Sequence, residues 1–247
     1  MDRMLYIAAS GASQIMERQA INANNLANVA TTGFQADLAA ARSRPVYGPV
    51  YPSRVYATNE TPAVDHDKGA IRATGRELDV AINGQGWLAV QAPDGSEAYT
   101  RAGDLRLSPE GVLETSAGHP VVGDGGLLVV PPSEKLEIAE DGTLSVRPIG
   151  QAASELAVIG RIKLVAPDPA ILVKGADGLL RTRDGVPAAA DASVRLVSGA
   201  LESSNVNAVE ALMNMMSLAR QFEAQTKIME AARDNDAASA RLMNISG

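Results

Sequence analysis

A chain of 247 residues with 46% hydrophobic side chains but only 3% aromatics must build its core from Ala, Val, Leu and Ile. A net charge of −7 without any Lys/Arg cluster argues against nucleic acid as a partner, because a phosphate backbone is held by clustered cations. The absence of cysteine excludes disulfide scaffolds, Cys-containing zinc sites and thiol nucleophiles.

The opening Met1-Asp2-Arg3-Met4-Leu5-Tyr6 lacks the basic, apolar and cleavable regions of a secretory signal, so no cleaved signal peptide is expected, and if the chain leaves the cytoplasm another route must carry it. No apolar run approaches the ~20 residues that cross a bilayer, so no membrane insertion is expected. Residues 1–32 contain one Gly and no Pro. Leu5, Ala8, Ala12, Ile15, Gln19, Asn22, Leu26 and Val29 recur in steps of three and four, which predicts a long amphipathic helix in an N-terminal element of residues 1–36. Gly33 reads as its stop signal, in the left-handed C′ conformation, with Phe34 folding back onto Val29. Asn22, Asn24, Asn25 and Asn28 are poor helix formers on or beside this stripe. They read either as a frayed end or as amides that fix register across a helical bundle.

Residues 37–68 read as an extended connector, since Pro45, Pro49, Pro52 and Pro62 interrupt any periodicity. From 69 to 198 the pattern changes to short alternating segments punctuated by Asn83-Gly84, Asp94-Gly95, Glu110-Gly111, Asp141-Gly142, Asp177-Gly178 and Asp184-Gly185. This predicts an antiparallel β domain, with Leu78, Val80 and Ile82 alternating with Asp79 and Ala81 and Trp87 to Gln91 as the strand returning after Asn83-Gly84. The element 199–247 lacks internal Gly and Pro, and Ala208, Leu212, Met215, Ala219, Phe222, Thr226 and Met229 repeat the helical spacing. Its helix is expected to start near Ser203-Ser204-Asn205, with Glu202 and Glu210 adding charge that suits a helix N-terminus. Some 35 helical residues would be about 50 Å long, more than this domain needs to cover its core, so the helix requires a partner. Met213, Met215 and Met216 read as interface filling.

Nothing resembles a reaction centre. Gly84-Gln85-Gly86-Trp87-Leu88-Ala89 fits a loose dinucleotide-binding pattern, but a strand follows where that pattern needs a helix N-terminus. His66, between Asp65 and Asp67, and the distant His119 read as solvated loop residues, and the carboxylates are scattered singly. No catalytic residue, metal site or cofactor is expected.

Three segments carry a family resemblance. The run Ala23-Asn24-Asn25-Leu26-Ala27-Asn28-Val29-Ala30-Thr31-Thr32-Gly33-Phe34 resembles the N-terminal signature of flagellar rod and hook proteins. Leu78 to Ile82, Gly86-Trp87 and Tyr99-Thr100-Arg101-Ala102-Gly103-Asp104 resemble their β domain. Gly199 to Asn207, Val209-Glu210 and Arg220-Gln221-Phe222-Glu223 are similar to their closing helix. Met1-Asp2-Arg3, Ser10-Gly11-Ala12 and the short length resemble the proximal-rod members. Ala30 replaces the usual Asn, and Asp104-Leu105 the commoner Asn-Phe.

The resemblance implies export through the flagellar type III apparatus and stacking into a hollow periplasmic rod. Copies of itself and other rod proteins would be the neighbours, proximal below and distal above. The implied fold class is α+β, with long N- and C-terminal helices forming a coiled-coil-like pair around a central all-β antiparallel domain. The implied assembly residues are Leu5, Ala12, Ile15, Asn22, Asn25, Leu26, Asn28, Val29, Leu212, Met215, Ala219, Phe222 and Met229. Phe34-Gln35-Ala36-Asp37-Leu38 resembles an export recognition element, which makes Gly33, Phe34 and Leu38 a combined helix stop and export element. A distal-rod or hook paralogue is the alternative. A phage-tail or adhesin-like fibre lacks the three segments, and an enzyme on a β platform lacks a pocket constellation.

Overall fold

A computed structural model of the chain describes residues 2–39, 41–45, 55–59, 63–148, 150 and 156–245. It has two helices and a central antiparallel β region, an α+β architecture that divides into two compact units. The helical unit comprises Met1–Asn28, Asp37–Asp65 and Val206–Gly247; the β unit comprises Val29–Ala36 and His66–Asn205.

In the helical unit, α1 (Asp2–Ala27) and α2 (Ala208–Ile245) lie antiparallel. Gly11 of α1 sits beside Gln225 of α2, and the Asn22 amide donates to the Ala211 carbonyl at 2.7 Å. Ala8, Ala12 and Ile15 are buried on α1, and Ala211, Leu218 and Ala232 on α2. The start of α2 is later than expected. Asn207 caps the helix, its Oδ1 accepting from the amides of Val209 (3.0 Å) and Glu210 (3.3 Å), so Ser203-Ser204-Asn205 stay outside it. In the connector, Asp37–Leu38 pairs with Ala63–Val64 and Ala41–Pro45 with Val55–Asn59, both antiparallel. Backbone ladders of this length form without apolar alternation, and Pro45 ends its strand, where a missing N–H is tolerated. Pro49, Pro52 and Pro62 lie outside the described residues.

The β unit is built on a five-stranded sheet in the order Leu164–Val165, Trp87–Gln91, Glu97–Thr100, Leu180–Thr182, Leu172–Lys174. A three-stranded sheet, Ser133–Ile138, Thr143–Pro148 and Ala157–Arg161, shares its core. That core is aliphatic, as composition requires: Val80, Ile82, Leu88, Val90, Leu105, Leu113, Val121, Leu144 and Ile162 are all buried to within 1%. Asp94-Gly95, Glu110-Gly111, Asp141-Gly142 and Asp177-Gly178 each close a hairpin between neighbouring paired strands.

Asn83-Gly84 does not. Both flanking strands exist, but Val80–Asn83 pairs with Arg195–Ser198, and Trp87–Gln91 pairs with Glu97–Thr100 and Leu164–Val165. Two glycines carry the chain from one sheet to the next, Gly84 at φ 108° and Gly86 at φ 137°. A Cβ on Gly86 would come within 2.9 Å of both Val194 methyl carbons, so the turn is packed as well as twisted. In the middle of the larger sheet, the buried Tyr99 hydroxyl accepts from the Ala188 amide at 2.6 Å and donates to Glu97 at 3.0 Å.

Candidate assembly site

Two terminal segments enter the β unit side by side: Val29–Ala36, which follows α1, and Gly199–Asn205, which precedes α2. Their order begins with a strand pair, Ile71–Ala73 with Ala200–Glu202. That pair presents Glu202 inward, and its carboxylate is fully buried against the equally buried Arg101 guanidinium, at 2.8–2.9 Å. The remaining Arg101 donors go to the carbonyls of Gly86 (2.8 Å) and Gly84 (3.1 Å). The Gly84-Gln85-Gly86 turn is therefore an arginine socket, not a dinucleotide loop. Glu202 also accepts from the Gly69 amide at 3.0 Å, and its main-chain carbonyl takes the Gly33 amide at 2.9 Å. Far from decorating a helix N-terminus, Glu202 is the centre of a buried polar node. An ion pair out of water is tolerable only when its remaining donors and acceptors are satisfied in this way.

The rest of the node follows residue by residue along Gly33-Phe34-Gln35-Ala36. Gly33 is left-handed, at φ 65°, as expected, but it lies six residues beyond the end of α1 and does not cap that helix. Its role is close approach, because a Cβ there would stand 2.2 Å from the Arg101 carbonyl carbon and 2.4 Å from the Ala102 nitrogen. Phe34 lies under the Lys174 ammonium, 4.0 Å from the ring centroid, and the same ammonium donates to the Gln35 carbonyl at 2.7 Å. Buried Gln35 accepts from the Trp87 indole at 3.3 Å. The Asn205 amide nitrogen donates to the Phe34 carbonyl at 3.2 Å, and the Asn205 side chain accepts from Ala36 (2.8 Å) and donates to Asp67 (3.1 Å). His66, expected in solvent, instead meets the Trp87 ring edge-on at 5.8 Å.

In the helical unit the expected asparagines take three different roles. Asn22 bridges to α2 through the Ala211 carbonyl. Asn25 both donates to and accepts from the Asp37 backbone, at 2.8 and 2.9 Å, copying one step of a β ladder. Asn28 bonds back to the Asn24 carbonyl at 3.0 Å. Ala12 and Ile15 are buried, Leu26, Met215, Phe222 and Met229 half-buried, and Leu5 exposed at the start of the α1 stripe. Val29, in the β unit, is half-buried. Leu212 and Ala219 are exposed, because the covered stripe of α2 runs through 208, 211, 215, 218 and 222, one residue earlier at two steps. Val209, Leu212, Met213 and Met216 form a second, exposed apolar ridge. Leu38 is exposed as well.

Three family models match in chain order: "Flagella basal body rod protein" over residues 5–35, "Flagellar hook protein FlgE/F/G D1 domain" over 81–146, and "Flagellar basal body rod FlgEFG protein C-terminal" over 197–242. The flagellar basal-body rod protein FlgF of Escherichia coli is 42% identical over 252 residues, covering 100% of both chains. The chain belongs to the flagellar basal-body rod family. The FlgF protein of Caulobacter vibrioides is 33% identical over 93% of both chains, and the FlgG protein of Bacillus subtilis 29% identical over 92% of this chain and 94% of its own. As a FlgF-like member of the rod family, the chain is a structural subunit of the flagellar basal body and not an enzyme. No helix among the described residues is long and apolar enough to cross a membrane.

Arg101 and Glu202 each fall in a segment that carries the rod-family resemblance, yet their pairing is not legible from either segment alone. The available signal was an arginine and a glutamate inside otherwise small or apolar runs, where a charge needs a partner.

Proposed function

We propose that the chain occupies the proximal rod, where α1 and α2 form a coiled-coil-like pair at the inside of a hollow stack and the β unit faces outward. The observation that carries this reading is the mismatch of the two helices. With 38 residues against 26, α2 is roughly 57 Å long and α1 about 39 Å, and α2 keeps an apolar ridge from Val209 to Met216 that its partner leaves exposed. Such a helix gains its missing contacts from neighbouring subunits. The neighbours are copies of the chain and other rod proteins, proximal below and distal above, in a rod that transmits torque and encloses the export channel. The interface residues are the thirteen assembly positions named from the sequence, with Leu212 and Ala219 turned outward. The elements 1–36, 37–68, 69–198 and 199–247 then serve as inner helix, connector, outer domain and inner helix. Export proceeds through the flagellar type III apparatus into the periplasm, with Phe34 and Leu38 as its recognition element. Full-length identity is greater to the FlgF proteins of Escherichia coli and Caulobacter vibrioides than to the Bacillus subtilis FlgG protein, which favours the proximal position.

Deletion of the gene should abolish motility and yield basal bodies whose rod stops short, with restoration by the wild-type copy. Motile cells with complete rods after deletion would overturn the proposal.

A further inference from the structure

We propose that Arg101 and Glu202 act as positioning residues that order both helix-flanking segments, Val29–Ala36 and Gly199–Asn205, on the β unit whether or not α1 and α2 are themselves ordered. This goes beyond the rod assignment and does not depend on it. The argument is where the hydrogen bonds go. The Gly33, Ala36, Gly69 and Asn205 amides all bond to acceptors within the β unit, and three of the four acceptors belong to Glu202 or Asn205. None of these four bonds draws on a helix residue. The two positions that let the backbones meet are glycines in van der Waals contact with main chain: a Cβ on Gly69 would lie 1.8 Å from the Ser203 oxygen, and one on Gly33 2.2 Å from the Arg101 carbonyl carbon. Arg101 ties this crossing to the turn between the two sheets through the Gly84 and Gly86 carbonyls. Backbone groups held against a buried, hydrogen-bonded charge pair open only when that pair is broken and returned to water, so their exchange with solvent should follow the β unit.

The test is residue-resolved amide hydrogen exchange on the full chain. In Ile15→Asp, which places a charge in the buried face of α1, any protection the α1 amides have should fall to none while Gly33, Ala36 and Asn205 keep theirs within about twofold. Loss of protection at these three together with α1 would overturn the proposal. In Arg101→Met, exchange at Gly33, Gly69 and Asn205 should rise at least about tenfold relative to Ala89 and Leu113, whose amides donate to the Lys163 and Leu128 carbonyls elsewhere in the β unit. An equal change at all five amides, or none, would overturn the assignment of the pair as the lock.

Discussion

At Gly33, conformation and space act together. Any Cβ must adopt a disfavoured φ and also enter the Arg101–Ala102 peptide, so Gly33→Val should cost roughly 3 kcal/mol or more and lower the melting temperature of the β unit. An unchanged melt would refute the close-approach reading. The Arg101–Glu202 pair makes an asymmetric prediction. Arg101→Met strands a buried carboxylate and should cost about 3–5 kcal/mol, whereas the double change Arg101→Met with Glu202→Met removes both charges and should recover much of that loss in a denaturant titration. Tyr99 gives the pH dependence. Burial, with Glu97 adding to it, pushes its phenol up to about 12. The folded pKa therefore exceeds the unfolded value near 10, and the stabilisation it reflects is fully present below pH ~10 and lost as pH rises toward 12. Tyr99→Phe should flatten that alkaline loss in melts recorded between pH 9 and 12.

Among the elements, α2 has two faces with different jobs. Leu212→Asp places a charge on the exposed ridge and should leave the monomer's helical signal unchanged while blocking incorporation into rods. Phe222→Asp lies on the half-buried stripe that faces α1 and should block incorporation as well. Normal rods with Leu212→Asp would remove the ridge from the interface. The helices were legible in the sequence because a period of three and four over seven or more positions has few competing explanations, and the aspartate–glycine hairpins because turn geometry demands those residues locally. The one-residue offset at Leu212 and Ala219 was not, since a partner helix decides which of two adjacent apolar residues is covered. The partner of Val80–Asn83 was also hidden, because Arg195–Ser198 lies more than a hundred residues away and nothing in Asn83-Gly84 distinguishes a hairpin from a change of sheet. The node escaped sequence reading for the same reason: Arg101 and Glu202 are 101 residues apart.

For the whole molecule, the unit boundaries alter what a stable fragment should contain. Helices with narrow Ala- and Met-rich stripes bury little apolar area as a lone pair, against ~1–2 kcal/mol per residue of backbone ordering. Limited proteolysis of the purified chain is expected to trim α1 and α2 and to leave His66–Asn205 with Val29–Ala36 still bound, even when cleavage in 37–65 has severed the connection. A chain that resists trimming and shows the circular dichroism of two full helices would mean that the helices pair before assembly. The distance between the node's two halves along the chain adds a matter of timing. Ala36 and Asn205 are separated by 169 residues, so a polypeptide threaded N-terminus first delivers Phe34 early and its clasp almost last. A chain ended at Ser198 would hold every strand of the five-stranded sheet and lack Glu202 and Asn205, leaving residues 29–36 without their place. The closing segment is thus a clock as well as a strand: the subunit cannot finish folding until nearly all of it has arrived.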